Sequence, residues 1–372
     1  MITFKKIRKL ITSFFPLVKN FRVYALLNDT MYILQKKIDK YPIKLWYKPR
    51  NISIEVTSKC NLRCPACGIS NIPDHMKCNL SIKTFLRLVP FFRYTRNVSL
   101  FNYGEPFMNP EFLSIIEICK AKKLEVSFFT NGMMLTDDII KKLIELKVQS
   151  ITFSIDGATE STYRKIRPDS NFEKVITNLK KLQLLIKSYN YPTLSICFTI
   201  MKSNIEDMPL MVELANRLKV KNLHFQNIIP FNKIAAQQMI FGLDTAYVEN
   251  IFSKTIELAN KYKIELRLPK IKIDSSLKPI CSWPWEGIQI RSDGLIFICN
   301  CFCYPMNLYG YVKNGVFINE QKFVELKPIG NIEKDNVLEI WNGKEYQSLR
   351  KNLREKKYVP VCDECIYPWG IH

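Results

Sequence analysis

Histidine is scarce in this chain, with His75, His224 and His372 as the only three in 372 residues. They are too scattered to suggest a ligand set, so a metal centre built from several imidazoles is not expected. No run approaches the apolar length of a transmembrane helix. A small-residue cleavage site is missing after the basic N-terminus, which excludes a cleaved secretory signal. Repeats and low-complexity tracts are lacking too. These absences predict a cytoplasmic protein.

Acidic residues are too few to balance the basic ones, since 34 Asp and Glu face 55 Lys and Arg, giving a net charge of +21. The first 50 residues hold 12 of the basic side chains against only Asp29 and Asp39. Within residues 1–20 the apolar side chains recur at helical spacing: Phe4, Ile7, Ile11, Phe14, Phe15 and Val18. This pattern predicts a basic amphipathic helix that packs on the rest of the chain or makes peripheral contact with an anionic membrane surface. Nucleic acid is not an expected partner, because no basic cluster is interleaved with aromatic residues.

Cysteine, in contrast, is abundant at 12 residues, and without a secretory signal this indicates metal chemistry in a reducing compartment. Cys60, Cys64 and Cys67 lie on one short segment, with gaps of three and two residues. Three thiolates can ligate three irons of a [4Fe-4S] cluster and leave the fourth open to a small molecule. The alternative is a structural zinc site in which Cys78 supplies the fourth thiolate.

Strand-like and helix-like segments alternate from residue 51 onward. The predicted strands lie near residues 52–56, 98–101, 126–129, 151–154, 194–200 and 223–226. Six β/α units in about 185 residues favour an α/β fold with an open, partial (β/α)6 barrel. The cysteine loop follows the first strand, at the end where barrel enzymes place their chemistry. A zinc ribbon is not expected to begin such a series.

Motifs at the ends of successive predicted strands strengthen this interpretation. They are the cysteine triad, Tyr103-Gly104-Glu105-Pro106, Asn109-Pro110, Thr130-Asn131-Gly132 and Ser154-Ile155-Asp156-Gly157, with Tyr163 and Arg167 downstream. Together they resemble the radical S-adenosylmethionine (radical SAM) enzymes over residues 51–230. Two positions depart from that family: Tyr103 replaces the first glycine of its motif, and Ala66 replaces a bulky residue beside the adenine.

The resemblance implies a [4Fe-4S] cluster on Cys60, Cys64 and Cys67 that binds S-adenosylmethionine (SAM) and cleaves it to a 5′-deoxyadenosyl radical. It also implies which residues contact the cofactor. Gly104, Glu105 and Pro106 would receive its amino group, Arg167 would pair with its carboxylate, and Asn131 and Ser154 would complete the site.

Six further cysteines lie in the last part of the chain: Cys281, Cys299, Cys301, Cys303, Cys362 and Cys365. Residues 286–298 alternate around Asp293-Gly294, which predicts a hairpin. This region is similar to the SPASM/Twitch extension, a small α+β domain that binds auxiliary clusters. Because two clusters would need about eight thiolates, one auxiliary [4Fe-4S] cluster on Cys281, Cys299, Cys362 and Cys365 is predicted. Cys301 and Cys303 are alternative ligands or free thiols, and a zinc site remains a second alternative.

The predicted organisation is a basic N-terminal segment (1–50), a radical SAM core barrel (51–235), a helical connection (236–280) and a SPASM/Twitch domain (281–372). We expect net oxidation of a small polar or sugar-like substrate, with an electron donor such as flavodoxin or ferredoxin. The alternatives are maturation of a ribosomally made peptide and a redox-neutral epimerisation or isomerisation. Peptide maturases often carry a leader-binding domain before the barrel, and 50 residues are short for one, which favours the small molecule.

Overall fold

The computed structural model describes residues 21–189, 191–271, 280–313, 316–357, 362 and 365. The predicted amphipathic helix of residues 1–20 lies outside this range, as does His372. The described chain begins with helix α1 (Phe21–Ile38). Within the described ranges, no helix combines the length and the apolar character needed to cross a membrane.

A parallel β/α series forms the first two thirds of the fold. Its strands are β1 (Asn51–Ile54), β2 (Asn97–Ser99), β3 (Glu125–Thr130), β4 (Ser150–Ser154), β5 (Thr193–Ile200), β6 (Asn222–Asn227) and β7 (Glu265–Arg267). Its helices are α2 (Ile82–Phe85), α3 (Phe112–Ala121), α4 (Asp137–Glu145), α5 (Glu160–Ile166), α6 (Phe172–Tyr189), α7 (Asp207–Arg217), α8 (Lys233–Gln237) and α9 (Thr245–Tyr262). Each strand from β1 to β6 pairs in parallel with the next along the chain, and β7 ends the series.

The helices pack because their apolar side chains lie on one face. In α4, Thr136 caps the first turn, where its hydroxyl accepts a hydrogen bond from the Ile139 amide at 3.3 Å. Ile140, Leu143 and Ile144 of this helix are buried against the sheet, as the spacing of a helical stripe requires. Val126 and Phe128 of β3 meet the same core. One face of the sheet is therefore covered by helices.

The C-terminal part continues the same sheet. It contains α10 (Trp283–Glu286), β8 (Gly287–Ile290), β9 (Leu295–Phe297), β10 (Met306–Leu308), β11 (Tyr311–Lys313), β12 (Val316–Ile318), β13 (Lys322–Val324), β14 (Gly330–Asn331), α11 (Val337–Trp341) and α12 (Lys344–Arg354). Strand β8 pairs in parallel with β1 and antiparallel with β9, and β14 adds to β9. Gly294 turns the β8–β9 hairpin with a φ of 85°, in the left-handed region that favours glycine.

The predicted α/β fold, with a barrel-type β/α series and a smaller C-terminal α+β part, is confirmed. Two features add to the prediction. Strand β7 lies inside the predicted helical connection and extends the parallel series beyond β6. The β8–β9 hairpin joins the edge of that series at β1, so the C-terminal cysteines begin beside the loop that carries Cys60.

Candidate cluster and cofactor site

The first cysteine loop leaves β1 and ends at a short 3₁₀ helix, Gly68–Asn71. The Cys67 amide donates to the Cys64 carbonyl at 3.0 Å, which turns the chain between these two thiols. Burial raises the pKa of Cys60 to about 11 and of Cys64 to about 12, and it also raises the pKa of Cys67. The Arg167 guanidinium opposes that shift at all three thiols.

This donor set suits an iron–sulfur cluster, because one loop supplies three thiol ligands and the nearby Arg167 cation favours their ligating thiolate form against the effect of burial. Cys78 takes another direction, since its thiol donates to the Ser292 hydroxyl at 3.3 Å. The structure thus does not bring Cys78 together with the other three thiols. Among the described residues, no group of three or more His, Cys, Asp or Glu side chains is placed to hold a single metal ion.

The loop after β2 lies directly against the cysteine loop at Gly104. A Cβ atom at this position would lie 2.2 Å from the Thr57 carbonyl oxygen and 2.7 Å from that of Lys59, so only glycine allows this approach. The Glu105 amide then donates to the Lys59 carbonyl at 2.9 Å. Pro106 begins a 3₁₀ helix, where its missing amide hydrogen has no consequence.

Glu105 is buried and joins this loop to the end of β3. Its carboxylate accepts a hydrogen bond from the Thr130 hydroxyl at 2.8 Å and from the Asn131 amide at 2.7 Å. Burial raises the pKa of Glu105 to about 7. The Asn131 side chain in turn donates to the Asn61 carboxamide at 2.9 Å, beside Cys60. Three predicted site residues are therefore connected to the cysteine loop.

Arg167 ends α5 and forms a buried ion pair that was not predicted. Its Nε and one terminal nitrogen donate to the same Asp156 oxygen at 2.8 and 2.6 Å. The other Asp156 oxygen accepts from the Thr199 amide at 2.7 Å. Asp156 belongs to the motif that also contains Ser154, which is half-buried at the end of β4. Pairing of Arg167 with a cofactor carboxylate stays a prediction.

The C-terminal cysteines divide into two environments. The pKa of the Cys301 thiol is raised by its hydrogen bond with Cys299, by burial, and by the charges of Cys299, Cys365 and Cys281. The Cys301 amide donates to the Cys299 sulfur at 3.4 Å. Cys303 instead accepts a hydrogen bond from the Asn102 side chain at 3.0 Å. This geometry makes Cys301 the better placed of the two alternative ligands. Three members of the predicted set, Cys281, Cys299 and Cys365, lie around Cys301, and the fourth, Cys362, packs against the main core.

A second hydrophobic core, which we call the interface cluster, packs against both cysteine groups. Its buried members are Ile69, Ile72, Phe231, Phe297, Phe302, Cys303, Tyr304, Met306, Leu308 and Val324. Cys60 and Cys67 pack on it, as do Cys299, Cys301 and Cys365. Tyr103 crosses between the two groups, since its phenol donates to the Cys301 carbonyl and its ring packs edge-on against Tyr304. The departure noted at Tyr103 therefore has a structural role.

The face of the sheet opposite the helices is mostly polar. Its side chains alternate with those of the core, as strand geometry requires. In β6, His224 and Gln226 are half-buried while Leu223 and Phe225 are buried. Direct strand pairing places these further polar residues on the same face, beside the apolar Phe129 and Cys197: Ser53, Ser99, Ser127, Thr152, Ser195, Thr199 and Gln289. His224 lies on this face, and burial lowers its pKa.

Asn102, Tyr304 and Glu55 are site residues that the sequence did not reveal, whereas Asp156 belonged to a quoted motif and only its pairing with Arg167 was missed. Glu55 offered one signal, because it is an acidic residue within an apolar predicted strand. The others depend on contacts between segments that are far apart in the chain.

Comparisons with known proteins agree with this geometry. The family model described as Radical SAM superfamily matches residues 54–215, and the one described as Iron-sulfur cluster-binding domain (SPASM) matches residues 281–366. Together they cover more than half of the chain.

Three curated relatives match most of the sequence. The tungsten-containing aldehyde ferredoxin oxidoreductase cofactor-modifying protein of Pyrococcus furiosus is 23% identical over 84% of this chain and 86% of its own. The AdoMet-dependent heme synthase of Methanosarcina barkeri is 27% identical over 85% and 91%. The sporulation killing factor maturation protein SkfB of Bacillus subtilis is 23% identical over 84% and 70%.

Solved structures share the fold. Streptococcus suis SuiB bound to its precursor peptide SuiA superposes with a TM-score of 0.62 at 14% identity, covering 87% of this chain and 70% of SuiB. Proteins of this kind bind a [4Fe-4S] cluster with SAM in the barrel and auxiliary iron–sulfur clusters in the SPASM domain. From its two matched domains, its fold and its cysteine groups, the chain belongs to the radical SAM superfamily, with a C-terminal SPASM domain.

Proposed function

We propose that this radical SAM enzyme catalyses a two-electron oxidation of a small polar molecule held against the polar face of the sheet. That face carries the proposal, because hydroxyl, amide and imidazole groups from neighbouring strands offer donors and acceptors to a polyhydroxylated or similarly polar substrate. The names of two relatives, a cofactor-modifying protein and a heme synthase, refer to non-peptide molecules and support this substrate class.

The residues around the two cysteine groups have separate roles in this proposal. When bound, the clusters supply one-electron chemistry: reductive cleavage of SAM in the barrel, and acceptance of an electron from the substrate in the SPASM domain. Gly104, Glu105 and Asn131 keep the cofactor loops against Cys60. The interface cluster holds Cys299, Cys301 and Cys365 next to that same loop and excludes water between them. A ferredoxin or flavodoxin serves as electron donor in this proposal.

A second candidate function is maturation of a ribosomally made peptide. The match to SkfB over 84% of the chain favours it. The two candidates differ in substrate size and not in the radical chemistry. Peripheral membrane contact through residues 1–20 is compatible with either, and it would place the enzyme on the cytoplasmic side of a membrane.

Incubation of reconstituted enzyme with metabolite fractions distinguishes the candidates. Anaerobic enzyme, SAM and dithionite are mixed either with the small-molecule fraction or with the peptide fraction of the source cells. We expect a product two hydrogens lighter than its substrate in the small-molecule fraction, with one 5′-deoxyadenosine per product. Product only from peptides would establish the maturase, and a product of unchanged mass would establish an epimerase or isomerase.

Variants of the polar face test where the substrate binds. Gln226→Leu removes the amide that donates to the Thr199 hydroxyl at 3.2 Å. We expect it to raise KM for the substrate at least tenfold without changing the affinity for SAM. Leu210→Gln, on the exposed side of α7, is the control and should change neither quantity. Unchanged KM in Gln226→Leu would place the substrate elsewhere.

A further inference from the structure

Glu55 is a fully buried carboxyl group at the end of β1 with an unequal set of partners. One oxygen, Oε2, accepts hydrogen bonds from the Tyr304 phenol at 2.5 Å, from the Ser292 hydroxyl at 2.8 Å and from the Ser292 amide at 3.2 Å. The other oxygen, Oε1, is buried and has no hydrogen-bond partner among the described residues. A carboxylate with one bare buried oxygen is costly, which favours the protonated form of this group.

Its partner Tyr304 connects Glu55 to the auxiliary cysteine segment. Tyr304 follows Cys303 directly and packs edge-on against Tyr103, with ring centroids 5.8 Å apart. Tyr103 in turn donates to the Cys301 carbonyl. The charge of Glu55 acts on both Cys303 and Tyr103. Glu55 is therefore electrostatically connected to the segment that carries the auxiliary-cluster cysteines.

The other titratable or charged groups around Glu55 are Tyr103, Tyr304, Cys78, Cys303, Arg291 and Asp293. Arg291 pairs with Asp293 at 2.6 Å, and its guanidinium lies 4.7 Å from the centre of the Tyr304 ring. Because this pair is internally neutral, the Glu55 carboxylate has little cationic compensation. Burial raises the pKa of Glu55, while the hydrogen bonds from Tyr304 and Ser292 oppose the shift.

We propose that Glu55 takes up one proton when the auxiliary cluster takes up one electron, and releases it when that electron leaves to a one-electron carrier of the ferredoxin or flavodoxin class. An added negative charge in a low-dielectric interior disfavours a nearby carboxylate, so protonation keeps the local charge constant. This inference rests on the proposed function, in which the auxiliary cluster accepts the electron of the substrate. The proton that accompanies this oxidation then has a defined acceptor close to that electron.

The test is a redox titration that needs no substrate. A Cys60→Ala, Cys64→Ala, Cys67→Ala variant retains the auxiliary cluster alone, and its midpoint potential is measured by electron paramagnetic resonance (EPR) at several pH values. With Glu55 present, we expect the potential to fall as pH rises, by up to 59 mV per unit for one proton per electron. With Glu55→Gln added, the potential should be independent of pH and equal to the low-pH value of the parent.

Further variants distinguish this role from a purely structural one. Asp207→Asn removes another buried carboxylate, one that accepts from the Ala158 amide at 2.8 Å, and it should retain the slope. Tyr304→Phe keeps Glu55 but removes a donor to its charged form, so the sloping region should move to higher pH. The same slope in Glu55→Gln and its parent would overturn the proposal. If Glu55→Gln fails to bind iron, the proposal is overturned when the pH dependence of the midpoint potential in Tyr304→Phe equals that of the parent.

Product formation is measured separately in the enzyme with all cysteines intact. If the midpoint potential of the parent variant does not change with pH while product formation is normal, only the proton uptake by Glu55 is rejected. Loss of the oxidation itself would reject the proposed function, whatever the titration shows.

Discussion

The phenol of Tyr103 donates a hydrogen bond to the backbone carbonyl of Cys301, and this contact joins the cofactor loop of the barrel to the auxiliary cysteine segment. Tyr103 is the position noted above as departing from the family motif. Its ring also packs against Phe231 at a centroid distance of 5.8 Å, within the interface cluster. One substituted position therefore connects the two halves of the site.

Tyr103→Phe removes that hydrogen bond while the ring remains. Because the Cys301 carbonyl loses its donor, we expect a loss of about 1 kcal/mol in the free energy of unfolding and a changed EPR signal of the auxiliary cluster. SAM cleavage should stay within about twofold of wild type. Tyr47→Phe is the matched control, since it removes a buried phenol that donates to the Trp285 carbonyl at 2.9 Å. It should cost similar stability and leave the signal unchanged. Identical signals in Tyr103→Phe and wild type would contradict this role.

Gly104→Ala should disrupt the cofactor site. The new Cβ would lie 2.2 Å from the Thr57 carbonyl oxygen, so the backbone of one loop must move. We expect the affinity for SAM, measured by calorimetry on reconstituted protein, to fall at least tenfold. At Gly343 an added Cβ would have its nearest neighbours 3.1–3.5 Å away, all in the backbone of Glu339 and Ile340. Gly343→Ala should therefore bind SAM normally. Normal binding by Gly104→Ala would show that the two loops can separate freely.

Sequence reasoning identified the order of strands, the β8–β9 hairpin and both cysteine groups, because these depend on local patterns and motif spacing. It did not find Asp156 as the partner of Arg167, since the pair forms only when α5 folds back over the end of β4. The pairing of β8 with β1 was missed for a similar reason. Their parallel register depends on the position of the whole C-terminal part, and no local residue pattern specifies it.

Arg167→Leu should be strongly destabilising. It leaves the buried Asp156 carboxylate without its cation, which costs about 3–5 kcal/mol in comparable buried pairs. Urea denaturation of the protein provides the measurement. Arg164→Leu removes an exposed pair of the same helix, where the nitrogen lies 3.8 Å from Glu160, and it should change stability by less than about 0.5 kcal/mol. Equal effects of the two substitutions would show that the Arg167–Asp156 pair contributes no more than a surface pair.

Glu105 should make stability depend on pH. Its pKa of about 7 in the folded chain exceeds the ordinary value of 4.5, so the folded state binds the additional proton between these values. The free energy of unfolding should therefore fall as pH rises from 4.5 to 7, with a contribution of about 3 kcal/mol from this group. The contribution should vanish in Glu105→Gln and persist in Glu117→Gln, an exposed control. A pH profile identical in wild type and Glu105→Gln would refute this assignment.

The ratio of oxidised product to 5′-deoxyadenosine in Cys365→Ala tests most directly the proposed separate roles of the barrel cluster and the auxiliary cluster. The variant is reconstituted anaerobically and assayed with SAM, dithionite and the small-molecule fraction, beside wild type and Cys60→Ala. Wild type should give one product per 5′-deoxyadenosine, and Cys60→Ala should give neither. We predict that Cys365→Ala still releases 5′-deoxyadenosine but forms no product two hydrogens lighter than its substrate. A ratio near one in Cys365→Ala would contradict the proposal that the auxiliary cluster accepts the electron of the substrate.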